Sequence, residues 1–207
     1  MKTAHSPLRL LSLLTFATAV LVCGSLPAQI AEIKQAPATT NTPAKVPDVV
    51  FVPTRMEVVE KMLQMAEIKT NDIVYDLGCG DGRFVVEAAK KYGVRGVGID
   101  IDPKRVQESR DNVRSNKVEH LVTIKQADIF ETDFSDATVV MLYLLPDLNV
   151  KLMPKLAKLK PGTRILSNDF DMRGAKPKQV VQLDGGTEGE GFQKTIYKWI
   201  VPWEKQD

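Results

Sequence analysis

Between residues 73 and 167 short apolar runs alternate with helix-patterned segments, and that alternation confines the chain to one class of architecture. Residues 73–77, 96–101, 121–127, 138–144 and 163–167 are strand-length runs dominated by Val, Ile and Leu. Residues 84–91, the stretch from Asp102 to Asn116 and residues 146–160 carry helical spacing, with Asp102 and Pro103 as cap and first-turn residues and a break expected at Pro154. A further helix is expected ahead of the first strand. There Thr54 and Glu57 have capping-box spacing, and Met56, Val59, Met62, Leu63 and Ala66 recur at helical intervals. Strands apolar on both faces need cover on both, so the pattern predicts a doubly wound α/β domain with a mostly parallel sheet. After Ser167 the alternation stops. Residues 180–183 and 195–201 read as strands flanking an acidic, glycine-rich stretch, and predict a closing antiparallel hairpin.

The most informative local stretch is Asp76-Leu77-Gly78-Cys79-Gly80-Asp81-Gly82-Arg83, between a strand and a helix. Glycines at 78, 80 and 82 let backbone approach a ligand closely, and the following helix offers free amides. The dinucleotide fingerprint G-x-G-x-x-G fails, because Arg83 stands where the last glycine belongs, and no Gly-Lys-Ser/Thr follows for a phosphate loop. The spacing that does match is D-x-G-x-G-x-G. Asp100 closes the second strand, where a carboxylate can accept both hydroxyls of a ribose, and Ile101 follows it. Asp128 closes the third, placed to meet an adenine amino group while Ile129 packs on the ring.

These residues carry a resemblance. From about Phe51 to Trp203 the chain resembles a class I S-adenosylmethionine-dependent methyltransferase, with residues 76–82 as its first motif, Asp100 as its ribose acid and Asp128 as its adenine acid. The resemblance implies S-adenosyl-L-methionine as cofactor, held by Asp76, Gly78, Gly80, Gly82, Asp100, Ile101, Asp128 and Ile129. No metal is implied. Phe51-Val52-Pro53-Thr54, residues 137–146 and Pro161-Gly162-Thr163-Arg164-Ile165 are similar to the group containing the ATP synthase c-subunit lysine N-methyltransferase and its bacterial relatives. That implies a protein lysine as leading acceptor. Two departures fall on the acceptor side: Asn168 stands where the relatives have histidine, and the tryptophan expected within residues 173–177 is missing.

In this fold the segment after the fourth strand faces the methyl group, and here it reads Tyr143-Leu144-Leu145-Pro146-Asp147. It lacks the Asn/Asp-Pro-Pro-aromatic pattern of enzymes that methylate exocyclic or amide nitrogens. Tyr143 is a candidate for orienting an amine and Asp147 for accepting its proton, and Asn168 and Asp169, at the end of the fifth strand, are similar candidates. A small-molecule or lipid acceptor, which an apolar rather than acidic acceptor pocket would support, and a non-catalytic module that binds the cofactor are the alternatives. Lys151, Lys155 and Lys158 share one helical face and read as a solvated stripe, and Tyr197, Trp199 and Trp203 as packing residues.

Residues 1–28 have the order of an export signal or membrane anchor: Lys2, His5 and Arg9, an apolar run to Val22, then small and turn residues. Residues 29–50, with Pro37, Pro43 and Pro47, read as a flexible tether, which leaves 51–207 as the methyltransferase domain. The leader predicts an exported or membrane-held body. Without Lys2 and Arg9 the 28 basic residues fall to 26, equal to the 26 acidic ones, and that neutrality argues against nucleic acid as the main partner. Of two cysteines one is Cys23 in the leader, so Cys79 cannot form a disulfide within the body.

Overall fold

The computed structural model describes residues 50–183 and 193–206. The expected leader and all of the expected tether except Val50 lie outside the described residues, as does most of the acidic stretch before the last strand. Among the described residues no helix is long and apolar enough to cross a membrane.

Among the described residues eleven elements follow one another: α1 (Met56–Met65), β1 (Ile73–Leu77), α2 (Arg83–Tyr92), β2 (Arg95–Asp100), α3 (Pro103–Ser115), β3 (Val122–Gln126), β4 (Val139–Leu142), α4 (Pro146–Leu156), β5 (Arg164–Asn168), β6 (Gln179–Leu183) and β7 (Lys194–Ile200). The strands form one sheet in the order β3-β2-β1-β4-β5-β7-β6. The five strands from β3 to β5 run parallel. β7 enters antiparallel between β5 and β6. This is the expected doubly wound sheet with its closing hairpin.

Strand periodicity divides the core. Tyr75, Leu77, Val140, Leu142, Ile165 and Trp199 point to one side, against Leu152 and Leu156 of α4. Val74, Val139, Met141, Leu166 and Ile196 point to the other, against Val59, Met62 and Leu63 of α1 and Phe84 and Ala88 of α2. Both faces are therefore dry, and this explains why the strands read as unbroken apolar runs rather than alternating ones. Trp199 is fully buried and donates its indole N–H to the Ala175 carbonyl at 3.0 Å.

Three local expectations are corrected. α1 has no capping box: Arg55 is the N-cap without a side-chain bond, and the Thr54 carbonyl instead accepts from Arg83 Nη1. α4 does not break at Pro154, which lies inside the helix. The proline faces solvent in the last turns, where the unpaired carbonyl it leaves can be hydrated, while Leu152 and Leu156 anchor the helix on either side. The lysines of α4 are not a uniformly solvated stripe either. Lys155 Nζ donates to the carbonyls of Phe130 (2.8 Å) and Thr132 (2.7 Å), and Lys151 Nζ stands 3.8 Å from the Phe130 ring centroid.

Candidate functional site

A cavity of about 810 Å³ opens at the carboxyl ends of β1, β2, β3 and β4, with Phe170 from the turn after β5. In this topology β1 and β4 leave their neighbours in opposite directions, and a crevice at that switch point is the expected ligand site. The loop after β1 forms its floor. Gly78 and Cys79 N–H groups both donate to the Ile99 carbonyl, at 2.8 and 2.9 Å, which folds the chain sharply over β2. α3 then pins the loop from outside, with Ser109 Oγ on the Gly80 carbonyl at 2.6 Å and Asn112 Nδ2 on the Asp81 carbonyl at 3.0 Å.

Glycine is required at position 80 for two reasons. Its φ of +54° is left-handed, and a Cβ there would lie 2.1 Å from the ring of Phe51. Phe51 lines the cavity beside this glycine and carries the Arg105 guanidinium 4.7 Å from its ring centroid. The sequence singles out Phe51 only within the resemblance-bearing stretch Phe51-Val52-Pro53-Thr54 and gives it no role, because its neighbours in the site come from elements far along the chain.

The expected acids are brought together. Asp76, Asp100 and Asp128 all line the cavity, as do Gly78, Ile101 and Ile129, while Gly80 and Gly82 shape the loop behind it. Asp100 Oδ2 accepts the Gly80 N–H at 2.8 Å and Oδ1 the Asp102 N–H at 3.0 Å. Each oxygen keeps a second lone pair, so the carboxylate can still accept two hydroxyls. Burial raises the Asp100 pKa against these two bonds.

Asp76 is different. It is buried, and its Oδ2 makes no hydrogen bond among the described residues. Burial, together with the charges of Asp100 and Asp81, pushes its carboxyl well above the usual range, with Arg83 opposing. A buried carboxylate oxygen facing a cavity calls for a donor, and a cationic one suits it best. The amino-acid tail of S-adenosylmethionine brings an ammonium, its ribose two hydroxyls and its base an exocyclic amine, so the residues present fit that cofactor. Among the described residues no group of three or more side chains could hold a metal ion.

The four acceptor-side candidates separate; Asp169 is not part of the cavity wall and bonds to Lys194 and Thr195 of β7. Tyr143 lines the cavity and stacks on Phe170, with ring centroids 6.0 Å apart and planes at 20°. Asn168, last in β5, is buried with its Oδ1 unpartnered among the described residues, yet it is not part of the cavity wall. Asp147 is not brought to the site: its side chain is 85% exposed and pairs with Arg173 at 3.0 Å. Asn149, Leu152 and Leu156 occupy the inward face of α4 and leave Asp147 on the outside. Sequence reasoning passed over Asn149, whose Nδ2 donates to Ser167 Oγ (3.3 Å) and to the carbonyls of Phe170 and Asp171 (3.2 Å each). It holds in place the turn that carries Phe170.

Sheet order, glycine loop and the three strand-end acids define an S-adenosylmethionine-dependent methyltransferase. Comparison with known proteins narrows the class: the chain belongs to the family described as the ANTKMT methyltransferase domain, whose model matches residues 76–179. It is 43% identical over 158 residues to a protein-lysine N-methyltransferase of Saccharolobus islandicus (strain REY15A), covering 75% of this chain and 96% of that one. It is 30% identical over 131 residues to the ATP synthase c-subunit lysine N-methyltransferase of Xenopus laevis, covering 63% of this chain and 57% of the relative. Among solved structures, an RNA methyltransferase from Salinibacter ruber in complex with S-adenosyl-L-homocysteine aligns at TM-score 0.66 and 47% identity, over 73% of this chain and 94% of that one.

Proposed function

We propose that this methyltransferase acts on the side-chain amine of a protein lysine. What carries the reading is the likeness over most of the chain to a protein-lysine N-methyltransferase; the acceptor wall of the cavity, built from Tyr143, Leu144, Leu145 and Phe170, has no charged side chain and by itself would suit a small-molecule or lipid acceptor as well. An amine brought against such a wall is desolvated, which favours the neutral form that carries the attacking lone pair. The relatives named above as lysine N-methyltransferases support the same acceptor.

S-adenosylmethionine, when bound, supplies a methyl group already activated on a sulfonium. Asp76 holds its ammonium, the loop at Gly78 to Gly82 gives its tail close backbone approach, Asp100 takes its ribose hydroxyls, and Asp128 with Ile101 and Ile129 holds its base. The work left to the protein is placement of the acceptor nitrogen in line with the methyl, which is worth up to about 7–11 kcal/mol in well-oriented systems. Tyr143, held by its stack on Phe170, is the residue placed to orient that nitrogen.

A second reading, methylation of RNA, is favoured by the description of the Salinibacter ruber structure. The equality of basic and acidic residues outside the leader and the missing Asn/Asp-Pro-Pro-aromatic pattern weigh against it. Incubation of the purified protein with methyl-labelled S-adenosylmethionine and cell extract separates the two. Label is expected in protease-sensitive material and, after hydrolysis, in methyllysine. Label released by ribonuclease instead overturns the proposal.

A further inference from the structure

The end of β5 and the start of β7 carry a group of side chains that the cofactor cradle does not use. Asp169, immediately after β5, adopts φ 62°, a left-handed conformation uncommon for a residue other than glycine. It is held there from both sides: its N–H donates to the Thr195 carbonyl at 2.7 Å, and its Oδ1 accepts the Thr195 N–H at 3.2 Å. The remaining carboxylate oxygen, Oδ2, accepts from Lys194 Nζ. That ammonium also stands 5.7 Å from the centroid of the Tyr143 ring, within cation–π range. Tyr143 stacks on Phe170, and both rings line the cavity. The two charged side chains are mostly buried, 26% exposed for Lys194 and 19% for Asp169.

A primary alkylammonium is thus already bound beside the acceptor wall, by a carboxylate fixed in an unusual backbone conformation and by an aromatic face. The bound group has the chemistry of a lysine acceptor. Its binding is also exchangeable: replacing one ammonium by another leaves the Asp169 carboxylate paired, and the displaced Lys194, on a partly exposed side chain, can return its charge to solvent. We infer that Asp169, with Tyr143 and Phe170, is the receptor for the acceptor's alkylammonium, and that Lys194 is a resident occupant which the incoming lysine displaces. This rests on the lysine reading above and adds the place where the acceptor is first held, in the protonated form it has in water. Asp169 and Lys194 are binding residues in this scheme, and the transfer itself occurs beyond them at the cavity.

The two residues then affect acceptor binding in opposite directions, and Lys158→Met, which removes the same charge at an exposed position outside the pair, is expected to leave KM for the acceptor unchanged; an equal fall in KM there would assign the effect to general charge and overturn the inference. The test is steady-state transfer to poly-L-lysine with the full chain, read as S-adenosylhomocysteine release, alongside calorimetric binding of S-adenosylhomocysteine. Asp169→Asn keeps the Oδ1 acceptor for Thr195, and asparagine tolerates left-handed φ, so the variant removes only the charge. It is expected to raise KM for poly-L-lysine by about tenfold with S-adenosylhomocysteine affinity unchanged. Lys194→Met removes the competitor and is expected to lower KM several-fold, while Lys194→Arg returns it towards wild type. Parallel changes in Asp169→Asn and Lys194→Met, or no change in either, overturn the inference. Should Lys194→Met not fold, reductive methylation of the wild type with formaldehyde and borohydride, mapped by mass spectrometry, decides the matter. Butyltrimethylammonium, a lysine mimic inert to the reagent, is expected to increase labelling of Lys194, and unchanged labelling overturns the inference. Failure of the lysine reading itself looks different: the wild type binds S-adenosylhomocysteine but methylates neither poly-L-lysine nor any protein of the extract, which removes both.

Discussion

Asp76 is kept at a cost to the fold that the ligand removes. Its buried Oδ2 has no partner among the described residues, and burial raises its pKa above the ordinary 3.8. Asp76→Asn removes a buried charge and its repulsion by Asp100 and Asp81, and is therefore expected to stabilise the ligand-free protein at neutral pH by about 1–3 kcal/mol. The same change is expected to weaken S-adenosylhomocysteine binding tenfold or more by roughly the same scale of lost charge-assisted bonding. Thermal unfolding with and without S-adenosylhomocysteine reads both effects, and a variant less stable in both conditions refutes the assignment. The sign of the pH effect follows. Because the folded protein holds this proton to higher pH than the unfolded chain, the Asp76 contribution to stability falls as pH rises from 3.8 through the raised folded value. A cationic ligand lowers that pKa, so binding should release a proton and tighten with rising pH. Calorimetry in two buffers of different ionisation enthalpy measures the release.

At the scale of elements, α4 reaches across the sheet to the loop after β3. Lys155 holds the carbonyls of Phe130 and Thr132, and Lys151 covers the Phe130 ring, so the turn that presents Asp128 and Ile129 to the cavity is tied to a helix far along the chain. Lys155→Met is expected to raise KM for S-adenosylmethionine several-fold with little effect on KM for the acceptor, whereas Lys158→Met, on the exposed side beyond the same helix, should change neither. Equal losses from both substitutions would mean that general charge, not loop anchorage, is at work. The helical spacing of these lysines was legible in the sequence, but their partners were not. A lysine on a polar helix face looks the same whether water or a distant carbonyl receives it. The break expected at Pro154 failed for a related reason, since local propensity cannot register the two buried leucines that hold the helix through the proline.

At the scale of the molecule, the bottom of the sheet is tied by one buried ion pair. Asp72, just before β1, pairs with Arg164 of β5 at 2.6 Å and accepts from Thr138 Oγ1 before β4 at 2.7 Å and from the Lys69 N–H at 2.6 Å. Burial opposes its ionisation, but these contacts outweigh burial and lower its pKa below 3.8. Stability from Asp72 is therefore present above the unfolded value and lost as pH falls through the folded one, opposite to Asp76 at the other end of β1. Asp72→Asn leaves Arg164 buried without its counter-charge and is expected to destabilise the fold by about 3–5 kcal/mol, measured by urea unfolding at neutral pH. The loss should shrink in acid, and a pH-independent loss would refute the ion-pair account.

The sequence by itself determined the strand–helix alternation, the parallel sheet with its closing hairpin, the glycine loop and the three acids at strand ends. Each of these is written in short-range spacing: a strand's period, a helix's period, or the few residues of a turn. Only the tertiary structure decided that Phe51 walls the cavity, that Asp147 faces away from it, that Asn149 holds the turn after β5, and that Asp169 and Lys194 meet beside Tyr143. Those arrangements depend on β7 entering between β5 and β6 and on which face each helix turns inward. Non-local pairings of this kind leave no periodic trace, because the residues that make them are ordinary in their own neighbourhoods and acquire their role only when the chain returns to them.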